Sequence, residues 1–195
     1  MRVVSIIFIV TVILSGCKKA ELTPEQYKQW LAKEEALNKT VNMGDYRYTV
    51  RLLPNDWVAY TLCQNCNADK LTAKLNEVGD LRYFAVTIDN IAGSDNLLKK
   101  NIGKESEYFE RLYYVSYMMK EDLELISNGK HHKPVLYSYE RVYDLSSRVS
   151  FMTAFASDSV EEDFTLKISP KFFSRDPVTF RFKQKALHNL PKLLL

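Results

Sequence analysis

Asp45–Leu62 reads DYRYTVRLLPNDWVAYTL. Within it Tyr46, Tyr48, Val50 and Leu52 alternate with Arg47, Thr49 and Arg51. A period of two sends alternate side chains to opposite sides of an extended chain, so the run predicts a β-strand with one buried face. Pro54-Asn55-Asp56 has the composition of a turn, and Trp57–Leu62 (WVAYTL) is expected to return as a second strand. So short a connection forces the pair to be antiparallel.

Downstream, Asp69–Val78 carries Leu71, Leu75 and Val78 at helical spacing and stops at Gly79, a residue suited to ending a helix. Leu81–Ile88 (LRYFAVTI) is apolar at nearly every position, which predicts a central strand covered on both faces. Phe109, Leu112 and Tyr113 suit a helix, whereas Tyr113–Tyr117 suits a strand, so a short helix running into a strand is expected over 105–119. Leu123–Ile126 leads into Asn128-Gly129, the pair favoured in tight hairpins, with the return expected over Val135–Tyr143. Phe151-Thr153-Phe155, Phe164-Leu166-Ile168 and Val178-Phe180-Phe182 are three further alternating runs, followed by a helical turn at Lys185–Leu190.

Upstream the period is 3.6. Thr23 is placed as N-cap, Pro24 as first helical residue and Gln26 as the far side of a capping box, with Tyr27, Trp30, Leu31 and Leu37 on one face. An amphipathic helix is expected over 24–37. The chain thus reads as α+β: a mainly antiparallel sheet, able to fold into a sandwich, with this N-terminal helix and one or two short ones. The 12 Tyr and 10 Phe agree, since aromatic side chains pack well on a pleated surface.

Ahead of the helix, Arg2 precedes the apolar run Val3–Leu14 (VVSIIFIVTVIL), which ends at Leu14-Ser15-Gly16-Cys17-Lys18-Lys19. A spanning helix needs roughly 20 apolar residues, so this run has the length of an export leader. Leu14-Ser15-Gly16-Cys17 looks like the lipobox of bacterial lipoproteins, in which the cysteine receives the lipid. The expected division is a signal peptide over 1–16, a lipidated tether over 17–22 and one globular domain over 23–195. Several acyl chains on one cysteine give durable attachment, where a single chain holds only marginally. Lys18 does not resemble the aspartate that retains such proteins at the inner membrane, so the outer membrane is the expected residence.

The charge is nearly balanced, with 27 basic side chains, Arg2 in the leader among them, against 24 acidic ones. That balance speaks against a nucleic-acid partner. No nucleotide-binding, serine-hydrolase or H-E-x-x-H motif is present, and no cofactor is implied.

Cys63-Gln64-Asn65-Cys66 is the motif with most chemical potential. Three readings compete. In an oxidising envelope the pair forms a local disulfide at the junction of two elements. A strand before it and a helix after it would imitate the thioredoxin arrangement, with the helix N-terminus activating a thiolate. Against that, Leu62 stands where that family usually has an aromatic, and Pro134, the facing proline one would propose, lies far downstream. A zinc site would need a second ligand pair, and His131 and His132, as neighbours on an extended segment, would point to opposite sides. No metal is expected.

Tyr137, Tyr139, Arg141 and Tyr143 share one face of an expected strand. Exposed, they would form a platform for a sugar or peptide; buried, they are core with hydroxyls at the rim. Glu161, Glu162 and Asp163 read as a solvated loop.

The body resembles a family of bacteroidete envelope lipoproteins of unknown function. The resemblance is carried by Leu22-Thr23-Pro24-Glu25-Gln26-Tyr27 with Trp30, Leu53-Pro54, Tyr83-Phe84, Pro134-Val135-Leu136-Tyr137 with Glu140-Arg141, and Phe180-Arg181-Phe182 with Leu190-Pro191-Lys192-Leu193. It implies envelope location and a single domain, and it brings no activity with it. The expected function is a lipid-anchored binding or interaction module for an envelope protein or glycan. The alternative is a thiol-disulfide oxidoreductase using Cys63 and Cys66.

Overall fold

The computed structural model of the protein describes residues 19–93, 96–141, 147–156 and 162–195. In chain order these form β1 (Glu21–Leu22), α1 (Pro24–Lys33), β2 (Asn38–Met43), β3 (Tyr46–Leu53), α2 (Asn55–Thr61), α3 (Ala68–Val78), β4 (Leu81–Asn90), α4 (Glu105–Tyr113), β5 (Leu123–Ser127), β6 (Lys130–His132), β7 (Leu136–Glu140), β8 (Arg148–Ala156), β9 (Phe164–Ile168), β10 (Val178–Phe182), α5 (Lys185–His188) and β11 (Lys192–Leu193). The fold is α+β, with two antiparallel sheets. One runs β2-β3-β4-β8-β7, the other β10-β9-β5-β6, and β1 pairs with β11 in a small parallel ladder.

The alternation of β3 is realised as expected: Tyr48, Val50 and Leu52 are buried and face the second sheet. Phe84, Val86 and Ile88 of β4 and Phe151 and Phe155 of β8 join them, against Leu123, Leu125, Phe164, Leu166, Phe180 and Phe182. Phe84 lies at the centre, its ring 5.9 Å from Phe155, 6.2 Å from Phe164 and 5.6 Å from Phe182. These are the separations at which aromatic quadrupoles attract.

The outer face of the five-stranded sheet is covered at one end by α2 and α3, through Val58, Ala59 and Val78 packed on Tyr83 and Ala154. That explains why both faces are apolar near the start of β4, where Tyr83 and Phe84 are buried on opposite sides. Farther along, Ala85 and Thr87 are only half-buried, and β4 reverts to the alternation of a strand with one buried face.

α1 begins at the expected capping box. The Thr23 hydroxyl accepts from the Gln26 N–H, and Gln26 Oε1 accepts from the Thr23 N–H at 3.0 Å. It stops at Lys33 instead of 37, because the Asn38 amide donates to the Leu31 and Glu34 carbonyls, both at 2.8 Å. Those carbonyls are among the groups that a helix end must satisfy from outside. Glu21 and Leu22, expected as tether, instead form β1.

Three further expectations are overturned. Trp57–Leu62 is not a strand: Asn55–Thr61 is α2, antiparallel return being made by β4 instead. The segment has no polar face at a period of two. In helical form Val58 and Ala59 reach the sheet, while Trp57 turns to α1 and stacks on Tyr27 at 5.6 Å. Tyr113–Tyr117 is not a strand either, since α4 continues through a π-helical turn over Tyr114–Met118. Its buried positions are Tyr114 and Val115, and Met119 is buried just beyond it. Lastly, Asn128 (φ 51°) and Gly129 (φ 70°) make the expected tight turn, but the returning strand is β6. Pro134, which has no N–H to give, follows it, and β7 then pairs with β8 in the other sheet.

Candidate functional site

Cys63 and Cys66 are joined in a disulfide, with Cα atoms 5.3 Å apart. The bridge closes the connection between α2 and α3. Asn65 takes a left-handed φ of 49°, a conformation that asparagine tolerates better than most residues. Asn67 then caps α3, its side chain accepting from the Lys70 N–H at 2.9 Å. Cys63 therefore follows a helix and stands outside the first turn of the next one. The strand that a thioredoxin-like arrangement requires ahead of the motif is absent here, its place taken by α2. Among the described residues no peptide bond is cis, that of Pro134 included.

α2 is fastened to α1 by a partly buried polar pair. The Tyr27 hydroxyl donates to Asp56 Oδ1 at 2.9 Å, and the same oxygen accepts from the Trp57 N–H at 2.8 Å. Burial pushes the Asp56 carboxyl above the usual carboxylate range, against the two hydrogen bonds, which favour its ionised form. Burial, together with Asp56, likewise raises the Tyr27 phenol.

The tyrosines of β7 face the inside of the fold. Tyr137 and Tyr139 are half-buried against the main core, opposite Thr153 and Phe151 of β8. The Tyr137 hydroxyl donates to the Val115 carbonyl of the π-helical turn, and its ring lies 5.2 Å from Phe151. Burial raises its pKa, with Tyr139 adding to the effect. Tyr139 is raised by burial too, with Arg141 pulling the other way. Arg141 is exposed, while Tyr143, Cys17 and Glu161 lie outside the described residues. Tyr137 and Tyr139 thus line core.

His131 and His132 sit side by side on β6. His131 is exposed, with Nδ1 3.5 Å from Glu124 Oε2. Lys133 and Lys167 also approach Glu124 at 3.5 Å. Slight burial pushes the Glu124 carboxyl up, but these neighbours outweigh it and hold the carboxyl below its ordinary range. Among the described residues no group of three His, Cys, Asp or Glu is arranged to hold a metal ion, and no helix is long and apolar enough to cross a membrane.

At the end of the sandwich, Leu53, Leu81, Leu187 and Leu190 wall a cavity of about 240 Å³ whose polar lining is Asn55, Asp80, Arg82 and Gln184. Arg82 is only 7% exposed; its guanidinium lies 3.9 Å over the Phe164 ring and donates to Gln184 Oε1 at 3.1 Å. Burial lowers its pKa from the ordinary arginine value. The sequence did contain a signal. Arg82 has the same parity as Phe84, Val86 and Ile88, and a cation on the core side of a strand is unusual enough to mark a special place. Ligand sites for whole small molecules run to roughly 300–1,000 Å³, so this cavity suits a single apolar side chain or a similarly small group.

Compared with known proteins, the chain matches no family model, and no curated protein or solved structure matches it.

Proposed function

We propose that the chain is an exported lipoprotein, held at the envelope through Cys17, and that its folded part is a binding or interaction module for an envelope protein or glycan. The observation that carries the reading is the apolar run Val3–Leu14 ending at Leu14-Ser15-Gly16-Cys17. Support for the module comes from the cavity at Arg82 and Gln184. Its leucine walls would accept an apolar group from a partner, and the polar side chains at its edge, Asn55, Asp80, Arg82 and Gln184, would fix its orientation. In this reading the Cys63–Cys66 disulfide is a staple between two helices.

Fractionation of the producing cells tests the anchor. The wild-type chain is expected in the membrane pellet and to resist extraction by high salt, whereas Cys17→Ser should leave that pellet or retain its leader. Equal distribution and processing of the two forms would contradict the reading. The redox alternative draws on the disulfide itself. It predicts catalysed insulin reduction that disappears in Cys63→Ser, and a staple predicts none above background.

A further inference from the structure

The chain enters the fold beside a small apolar surface. The Ala20 carbonyl accepts from the Lys192 N–H and the Leu22 carbonyl from the Leu194 N–H, both at 2.8 Å, so residues 20–22 are fixed against 192–194. Next to them, Thr23, Pro24, Tyr60, Cys63, Cys66 and Leu194 line one shallow concavity. Around it Leu62, Leu194 and Leu195 are 53%, 50% and 45% exposed. Leucines this open to water on neighbouring segments call for a cover.

We infer that this face, made by the Cys63–Cys66 loop and the residues around Leu194, rests on the lipid bilayer. The inference builds on the reading of Cys17 as the lipid anchor. From Cys17 to the fixed Ala20 is three residue steps, about 10 Å at full extension. The headgroup zone on each side of the hydrocarbon is itself roughly 5–8 Å thick. An acylated Cys17 therefore leaves too little chain for the fold to stand clear of the surface, and what lies beside Ala20 must lie near the lipid. Tyr60, with an apolar ring and a polar tip, suits that boundary. The nearby charges nearly cancel, Lys18, Lys19, Lys70 and Lys192 against Glu21, Glu25 and Asp69, so the contact is mainly apolar in character.

Another apolar surface is formed by Phe109, Tyr113, Tyr117 and Met118 along α4 and its π-helical turn. α4 leans on the single-turn helix Leu97–Lys99 and on the π-helical turn, and Tyr114 packs on Phe172. Residues 20–22 are fastened to 192–194 and not to that surface.

Hydrogen exchange of the acylated protein in vesicles of phosphatidylethanolamine and phosphatidylglycerol tests the inference, with the leaderless Cys17→Ser protein in solution as reference. Amides in peptides covering 61–67 and 189–195 should exchange at least threefold more slowly on vesicles, with 108–118 unchanged. Unchanged exchange at 61–67 and 189–195, or slowing at 108–118 in their place, overturns it. The intact mass of the same sample separates the two claims. An acylated Cys17 without protection at this face refutes only the seating on lipid, whereas an unmodified Cys17 removes the anchor and the inference with it.

Discussion

The two faces of the five-stranded sheet are covered by very different amounts of apolar surface. The inner face meets a whole second sheet, and Phe84, Phe155, Phe164 and Phe182 interlock there. The outer face meets only two short helices, and the cluster between them and the sheet is five residues: Val58, Ala59, Val78, Tyr83 and Ala154. Apolar burial stabilises by roughly 25 cal/mol per Å², so the helical layer is held far more weakly than the sandwich. Covalent and polar fastenings gather on the weak side: the Cys63–Cys66 bridge at one end of α2, and Asp56 with Tyr27 at the other. Where packing is thin, the chain is pinned by other means.

The contrast makes graded predictions. Phe84→Ala opens a cavity in the middle of the sandwich and should cost about 3–5 kcal/mol, measured by urea unfolding. A cost near 1 kcal/mol would mean the inner core is not the dominant one. Val58→Ala removes about two buried methylene equivalents from the outer cluster and should cost about 2 kcal/mol.

Reducing the disulfide opens a very small loop, for which the chain-entropy account gives about 2 kcal/mol at most. Its effect should stay local, with α2 and α3 amides exchanging faster and β4, β8 and β9 unaffected. Equal acceleration in those strands would show that the helical layer and the sandwich open together, and the distinction between the faces would fail.

The smallest effect is a pH dependence. The Asp56 carboxyl is raised in the folded protein, so its contribution is fully present below the unfolded pKa of about 3.9 and is lost as pH rises through the folded value. Asp56→Asn keeps an oxygen for the Tyr27 and Trp57 donors and removes the charge. Its melting temperature should gain on that of the wild type between about pH 4 and about pH 7. A constant difference across that range would mean that burial does not perturb this group.

Legibility followed the same division. The strands of the sandwich were readable because each has one face in a large core, and period two is the imprint of that burial; Tyr48-Val50-Leu52 and Val178-Phe180-Phe182 show it plainly. The helical layer was harder. WVAYTL is apolar without a period, and what makes it helical is distant: Tyr27 from α1 and the sheet beneath. β2 (NKTVNM) left no hydrophobic pattern, because it is an edge strand with no fully buried residue. Tyr113–Tyr117 has the aromatic and β-branched composition of a strand, yet Tyr113 and Tyr117 are exposed and Tyr114 and Val115 are buried by a helical winding. At the candidate site the Cys63–Cys66 pair was legible from spacing. The cavity at Arg82 was not, since Gln184 lies more than a hundred residues away and only the fold brings the two together.

Beneath the proposed role is one chemical statement, that Cys17 is the acylated first residue of the working protein. Intact-mass spectrometry of the chain extracted from the producing cell's envelope tests it most directly. The account predicts a polypeptide beginning at Cys17 and heavier than its sequence by several acyl chains; a chain still carrying residues 1–16, with an unmodified thiol, would contradict it.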